Sequence, residues 1–396
     1  MKHNSLRRFA ASLIGLVFVI SGLMKLLDPV GTGLIVSEYL KFFHLSFLGG
    51  IAKGIGVALC LLETITGAAL ITGVFRKLTA MVASAMVVFF TFITLILLIV
   101  NPDMDCGCFG EAIHLSHLQS FIKNLVLLAL ACLAFIPFKK YGECKTHREV
   151  AFWIGAVSIV AAMGYSLAGI PAIDFTAYRP GAELYASLDN SYQAMDGYYA
   201  AYIYEKDGQR GSFTLDRLPD STWTFVEVDT VFRNSTSPQK EAPVLSFSDA
   251  EGNYQDELAV LGKVVAISVY NPQKCNWSRV GDIFARVKES KESAVPIVLV
   301  NSSPAELKSM GIPPYLNVFY ADYKTLITLN RANGGATYIA DGEIVRKWHP
   351  RYFPGPEGLA KVLKADVTDA QIKSVSPGRV RAQGFALYLL AILLFL

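Results

Sequence analysis

RKLTAMVASAMVVFFTFITLILLIVNPDMDCGCFGEAIHLSH, residues 76–117, carries the reading of the fold. No charged side chain lies between Lys77 and Asp103, and about 20 mostly apolar residues are enough for a helix to cross the hydrocarbon of a bilayer. Such a segment has to be helical, because lipid offers its backbone no hydrogen-bond partners. The apolar run stops at a polar loop in which Cys106 and Cys108 flank one glycine, and a second apolar run starts near residue 118. The stretch therefore predicts two membrane helices joined by a cysteine-bearing loop.

Working outward, five apolar runs of spanning length precede residue 171, at roughly 8–27, 51–74, 78–100, 118–138 and 150–171. The first lacks a small-residue cleavage site and reads as an anchor, not a removable signal. The composition agrees, with 53% hydrophobic residues and a mean hydropathy of +0.39, above the ordinary soluble range. Residues 1–170 hold 13 Lys and Arg against 8 Asp and Glu, while residues 171–378 hold 21 against 25. A basic excess confined to the apolar half is what topology-setting loops produce, and it argues against nucleic acid as a partner. Membrane lipid is the partner this half predicts.

Lys and Arg near span ends stay in the cytoplasm. Lys2, Arg7 and Arg8, then Arg76 and Lys77, then Lys139, Lys140, Lys145 and Arg148 mark three cytoplasmic ends. Alternation then places residues 28–50, the loop 101–117 and everything from about 172 onward outside. The 101–117 loop, with Asp103, Asp105 and Glu111 and neither Lys nor Arg, fits that side. In a bacterium this means the inner membrane, a cytoplasmic N-terminus and a periplasmic soluble part, where disulfides persist. Residues 30–43 have apolar residues at helical spacing, predicting a helix along the outer interface or else a plain connection. The uncharged AQGFALYLLAILLFL at 382–396 is short for a span and reads as a sixth, terminal helix within 379–396, or an interfacial one.

Beyond residue 171 the apolar runs shorten and turn residues multiply. Residues 172–242 predict a small β-rich segment from YYAAYIYE and STWTFVEV, separated by KDGQRG and LPD. NSTS at 234–237 and NWS at 276–278 fit the glycosylation pattern, which is common by chance. In residues 243–366 strands and helices alternate. KVVAISVY (263–270) and VPIVLV (295–300) are runs suited to buried parallel strands, VGDIFARVKES is helical, and Asp341-Gly342 is a hairpin turn. The order β-α-β-α-(β)-α-β-β-α predicts an extracytoplasmic α/β domain of thioredoxin-like type.

Three stretches of the first 170 residues, SGLMKLLDP, LCLLETITGAALITGVF and DCGCFG, resemble the DoxX/MauE-type membrane family. The last is similar to the C-G-C-F-G loop of its methylamine-utilisation members. The whole chain, with DSTWTFV and VAISVYNPQKCNWSRVGDIFARV, resembles bacterial DoxX proteins fused to a degenerate thioredoxin-like domain. The resemblance implies work beside a thioredoxin-like partner in disulfide formation. It departs from the pattern twice. Ser278 stands where a second cysteine would follow Cys275, and Gly334, Gly335 and Ala336 stand where a proline would precede the penultimate strand.

Three readings of the loop stay open. Cys106 and Cys108 can close a small, strained and therefore oxidising disulfide, with Gly107 supplying backbone freedom. Cys106, Cys108, His114 and His117 can instead hold zinc or copper. The third reading is a structural turn with inert sulfur. Cys275, expected at a helix start, is predicted to favour thiolate and to relay a disulfide from Cys106 and Cys108; its alternative is a relic in a binding domain. Glu63 lies inside a span and must face a partner such as Lys25 or Lys53; it is the candidate contact for a membrane quinone or a proton. Cys60 and Cys132 read as packing residues, and Cys144 falls on the reducing side. The expectation is a thiol–disulfide exchange component of periplasmic protein maturation acting on a thiol client. Its rival is a non-enzymatic assembly factor with a structural or metal-holding loop.

Overall fold

Hydrophobic runs of this length need partners on one side and lipid on the other, and in the computed structural model each run is a helix with one face packed and one left open. It describes residues 2–102, 104–136, 146–171, 173–184, 198–206, 209–213, 224–232, 243–290, 292–310 and 312–372. The terminal run from 379 and Cys144 lie outside the described residues. The chain forms two units, one of residues 1–179, 328–332 and 369 onward, the other of residues 180–327 and 333–368.

The first unit is helical: α1 (Lys2–Leu27), α2 (Pro29–Phe42), α3 (Ala52–Thr72), α4 (Arg76–Val100), α5 (His117–Phe135) and α6 (Thr146–Ala168), with a short strand β1 (Cys108–Glu111) before α5. Five segments are long and apolar enough to cross a membrane: Leu6–Leu27, Ser46–Thr72, Arg76–Val100, His117–Phe135 and Arg148–Ala168. Each falls on one of the five runs marked in the sequence. Their inner faces pack Ala10, Ile14 and Phe18 of α1 against Ala83 and Val87 of α4 and Leu127 and Ala131 of α5. Large apolar side chains such as Phe89, Phe92 and Ile99 of α4 and Val157 of α6 point outward, as lipid-facing positions should. Small residues set the helix spacing. A Cβ on Gly67 of α3 would fall 2.7 Å from the Gly15 carbonyl of α1, so the two backbones nearly touch.

Several buried polar groups of this bundle are paired, as a low-dielectric interior demands, although Ser120 Oγ and Arg148 Nε have no hydrogen-bond partner among the described residues. The buried Arg7 donates from Nε to the Ala134 carbonyl at 3.1 Å, a cation at the C-terminal turn of α5. Asn124 of α5 donates to the Phe90 carbonyl and to Thr94 Oγ1 of α4, both at 3.1 Å. Glu63 meets Lys25 Nζ at 2.6 Å with both side chains buried. The mid-span carboxylate thus has one of the two lysines its burial called for.

Between α1 and α3 the chain runs as α2, a helix where either a helix or a connection was expected. Asp28 caps it by accepting from Gly31 N at 2.9 Å, and Pro29 takes the first turn, where a missing N–H costs nothing.

Among the described residues the second unit holds two sheets. One is antiparallel, β3-β2-β4, from β2 (Tyr198–Lys206), β3 (Gln209–Phe213) and β4 (Thr224–Phe232). The other is mixed and five-stranded, in the order β7-β6-β5-β8-β9, from β5 (Lys263–Val269), β6 (Ala294–Val300), β7 (Val318–Tyr320), β8 (Gly335–Ala340) and β9 (Glu343–Trp348). β5, β6 and β7 run parallel; β8 and β9 run antiparallel to their neighbours. Central β5 is buried from Val264 to Val269, which explains its unbroken apolar sequence. Helix α7 (Trp277–Glu289) connects β5 to β6 and buries Val280, Ile283, Phe284 and Val287, one face at helical spacing. The β8–β9 turn puts Asp341 at φ 46° and Gly342 at φ 82°, the left-handed pair a tight hairpin needs.

Candidate functional site

The loop between α4 and α5 starts where Asn101 takes a left-handed conformation (φ 48°) and stops α4. It ends at Ser116, which accepts from Gln119 N while the Gln119 side chain accepts from Ser116 N, a capping box that fixes the start of α5. His117 is therefore the first residue of a rigid helix.

This placement brings His117 onto the first cysteine. Cys106 Sγ lies 2.9 Å from His117 Nδ1, and His117 Nε2 lies 3.0 Å from the Pro102 carbonyl. A carbonyl only accepts, so Nε2 carries the proton. In the neutral ring Nδ1 is then the acceptor, and the Cys106 thiol donates to it. The ring is oriented at one nitrogen and offers a base to sulfur at the other. Cys106 itself is buried, and burial, reinforced by nearby Cys108 and Asp105, holds its thiol above the ordinary value. Removing its proton therefore calls for an adjacent base. Cys108 is half-buried. All five described cysteines, at 60, 106, 108, 132 and 275, are thiols.

The loop backbone is fastened on both sides. Tyr39 Oη of α2 donates to the Cys106 carbonyl at 2.8 Å, and Ser21 Oγ of α1 donates to the Cys108 carbonyl at 2.6 Å. Between them Gly107 has φ +60°, and a Cβ there would sit 2.5 Å from Ile35 Cγ2 of α2. Glycine is needed twice over, for its dihedral and for its size. Beyond Cys108, Glu111 Oε1 meets Arg331 Nη2 at 3.2 Å, and Arg331 binds Asp28 Oδ2 through Nη2 at 2.8 Å and Nε at 2.9 Å. Arg331 and Asp28 are buried; Asp28, then Glu111, outweighs that burial and keeps the guanidinium charged.

Sequence reasoning singled out Cys106, Cys108 and His117 but missed Tyr39, Ser21, Ile35 and Arg331. The helical spacing of residues 30–43 was the only signal that could have pointed to Tyr39 and Ile35; nothing near Arg331 marks it. His114, grouped in the sequence with His117, is turned elsewhere. It is exposed and pairs with Asp105 at 3.2 Å. Among the described residues no three His, Cys, Asp or Glu side chains gather closely enough to share a metal ion. Glu63 is held by Lys25 in the bundle interior.

In the second unit Cys275 departs from the expectation of a helix-activated thiol. The helix cap is Asn276, whose side chain accepts from Arg279 N, and Cys275 ends the short turn Pro272–Lys274 just before it. Its sulfur is turned to Gly334, where an added Cβ would lie 3.4 Å away, beside Val280 and Pro350. Burial pushes this thiol up to about 12. Desolvation outweighs any helix-end field, so the resting sulfur is neutral. Ser278 is exposed.

Residues 4–137 match the family described as methylamine utilisation protein MauE, and residues 198–233 match a domain of unknown function, DUF8463. The first match covers α1 to the end of α5, including the cysteine loop. No curated protein and no solved structure matches the chain.

Proposed function

We propose that this chain is a membrane component of thiol–disulfide exchange that supports oxidative protein maturation on the outer side of a bacterial inner membrane, with Cys106 and Cys108 as its working pair. The observation that carries the reading is the contact between the Cys106 thiol and an imidazole whose far nitrogen is anchored, two residues from a second, half-buried thiol. A thiol paired with a base is the ordinary arrangement for generating a nucleophilic sulfur. The match to MauE over the same helices is consistent with a membrane maturation role. Methylamine itself does not carry over, because no residue here encodes an amine substrate.

The orientation rests on the loop charges. The thioredoxin-like identity of the second unit draws support from the strand order β7-β6-β5-β8-β9, with the last two strands reversed. Cys275 belongs to the scheme as the relay to a client, acting once its sulfur is uncovered. A membrane quinone at Glu63 stays an open part of the scheme; a head group there would have to share or displace the contact of the buried carboxylate with Lys25. No step is drawn through it.

Blocking free thiols in native membranes, reducing, blocking again with a second mass label and mapping residues 106, 108 and 275 tests the reading. The expected result is a reducible Cys106–Cys108 fraction that changes with the redox state of the medium. Two permanently free thiols overturn it. The rival, a non-enzymatic assembly factor with a structural loop, draws on how firmly the loop is braced; an unchanged client redox state after loss of both cysteines would select it.

A further inference from the structure

We infer that the two cysteines divide the exchange between them: Cys108 meets the disulfide of the partner, and Cys106, resting on His117, resolves the mixed disulfide that forms. This rests on the exchange reading above and assigns an order to it. Cys106 is 7% exposed, its carbonyl is tied to Tyr39, and its sulfur faces an imidazole. An incoming sulfur has little surface to reach there. Cys108 is half-buried, and its carbonyl, not its sulfur, is the group held by Ser21. Exchange needs an approach to one sulfur from outside and attack on it from within. The loop offers one cysteine suited to each.

The steps balance. Cys108, as thiolate, attacks one sulfur of a partner disulfide. The partner S–S bond breaks, and the first partner thiolate leaves and takes a proton from water. Cys106 then gives its proton to His117 Nδ1 as its sulfur attacks Cys108 Sγ. The second partner thiolate leaves and takes that proton from His117. Two electrons pass from the loop to the partner, which ends as two thiols, and the loop ends as a Cys106–Cys108 disulfide. Run backward, the same steps oxidise a client dithiol: a client thiolate attacks Cys108 Sγ, and Cys106 leaves with the proton held by His117.

The test uses the full-length protein in native membranes, with glutathione disulfide as the probe and adducts mapped by mass spectrometry. Cys106→Ser should accumulate a stable glutathione adduct on Cys108, whereas Cys108→Ser should acquire one on Cys106 at least tenfold more slowly. His117→Gln should still form the Cys108 adduct but resolve it about a hundredfold more slowly, the low end of what a positioned base contributes. Equal or faster capture at Cys106 overturns the division, and unchanged resolution in His117→Gln removes the histidine from it. Should either serine variant fail to fold, acid quenching of the wild-type protein at early times locates the first adduct directly; an adduct on Cys106 is then the contrary result. A wild-type loop that never reacts would sink the exchange reading itself, an outcome distinct from a reversed order.

Discussion

The chain carries cysteines in two settings. The loop thiol Cys106 has an oriented imidazole at 2.9 Å and a second cysteine two residues away. Cys275 lies next to Gly334 with Ser278 as its nearest candidate partner in sequence, and burial alone sets its thiol. Cys106 is buried and Cys275 half-buried, and among the described residues only Cys106 of the two has a group that can take its proton. The two settings thus differ in the polar atom that faces the sulfur. The bracing differs as well. The loop is fixed from α1, α2 and a distant arginine, whereas Cys275 sits in a turn of its own unit.

The contrast can be broken or sharpened in order of expected effect. Arg331→Met leaves Asp28 and Glu111 without their counter-charge. Loss of one member of a buried pair costs about 3–5 kcal/mol, so thermal unfolding in detergent should drop sharply, with Arg331→Lys recovering only part. A stability equal to wild type would mean the brace does not hold the loop.

A thiol near 12 against an ordinary value of 9 ionises about a thousandfold less at pH 8. Iodoacetamide should therefore modify Cys275 in the folded protein that much more slowly than in the denatured chain. The sign follows from linkage: the folded state favours the protonated thiol, so the stabilisation is complete below about pH 9 and is lost as pH climbs toward 12. Equal rates in the folded and denatured chain would show the sulfur to be open.

The same substitution made in both places measures the difference in packing. Gly107 at φ +60° and Gly334 at φ +78° each charge an alanine about 1–3 kcal/mol for the left-handed backbone. Only at Gly107 does the new methyl also collide with Ile35; at Gly334 it meets Cys275 at ordinary contact distance. Gly107→Ala should lower the unfolding temperature more and slow loop exchange, and the reverse ranking would contradict the loop geometry. Smallest is Tyr39→Phe, which deletes one hydrogen bond to the Cys106 carbonyl at roughly 1 kcal/mol. It should shift the loop's exchange equilibrium several-fold without unfolding the bundle.

Much of this architecture could be read from the residues because its causes are local. The five apolar helices follow from run length, the strands β5 and β6 from unbroken aliphatic stretches, and the β8–β9 hairpin from Asp341-Gly342. Glu63 needed a lysine, and Lys25 is the one it has. What could not be read depends on contacts between residues far apart in the chain. Tyr39 reaches Cys106 across 67 residues and Ser21 reaches Cys108 across 87, and no periodicity announces either. Cys275 misled for a related reason. Its place before a helix is local and visible, but its sulfur lies against Gly334, just before β8 and 59 positions further along the chain.

The separation of 303 positions from Asp28 to Arg331 also bears on how the protein is made. A ribosome that has just finished Glu111 has 220 residues to go before the guanidinium exists, roughly ten to forty-five seconds at ordinary elongation rates. Throughout that interval Asp28 and Glu111 have been made while the charge that pairs them is still unwritten. Translation products that stop short of residue 331 lack the guanidinium that pairs Asp28 and Glu111, and a buried charge without its partner is costly.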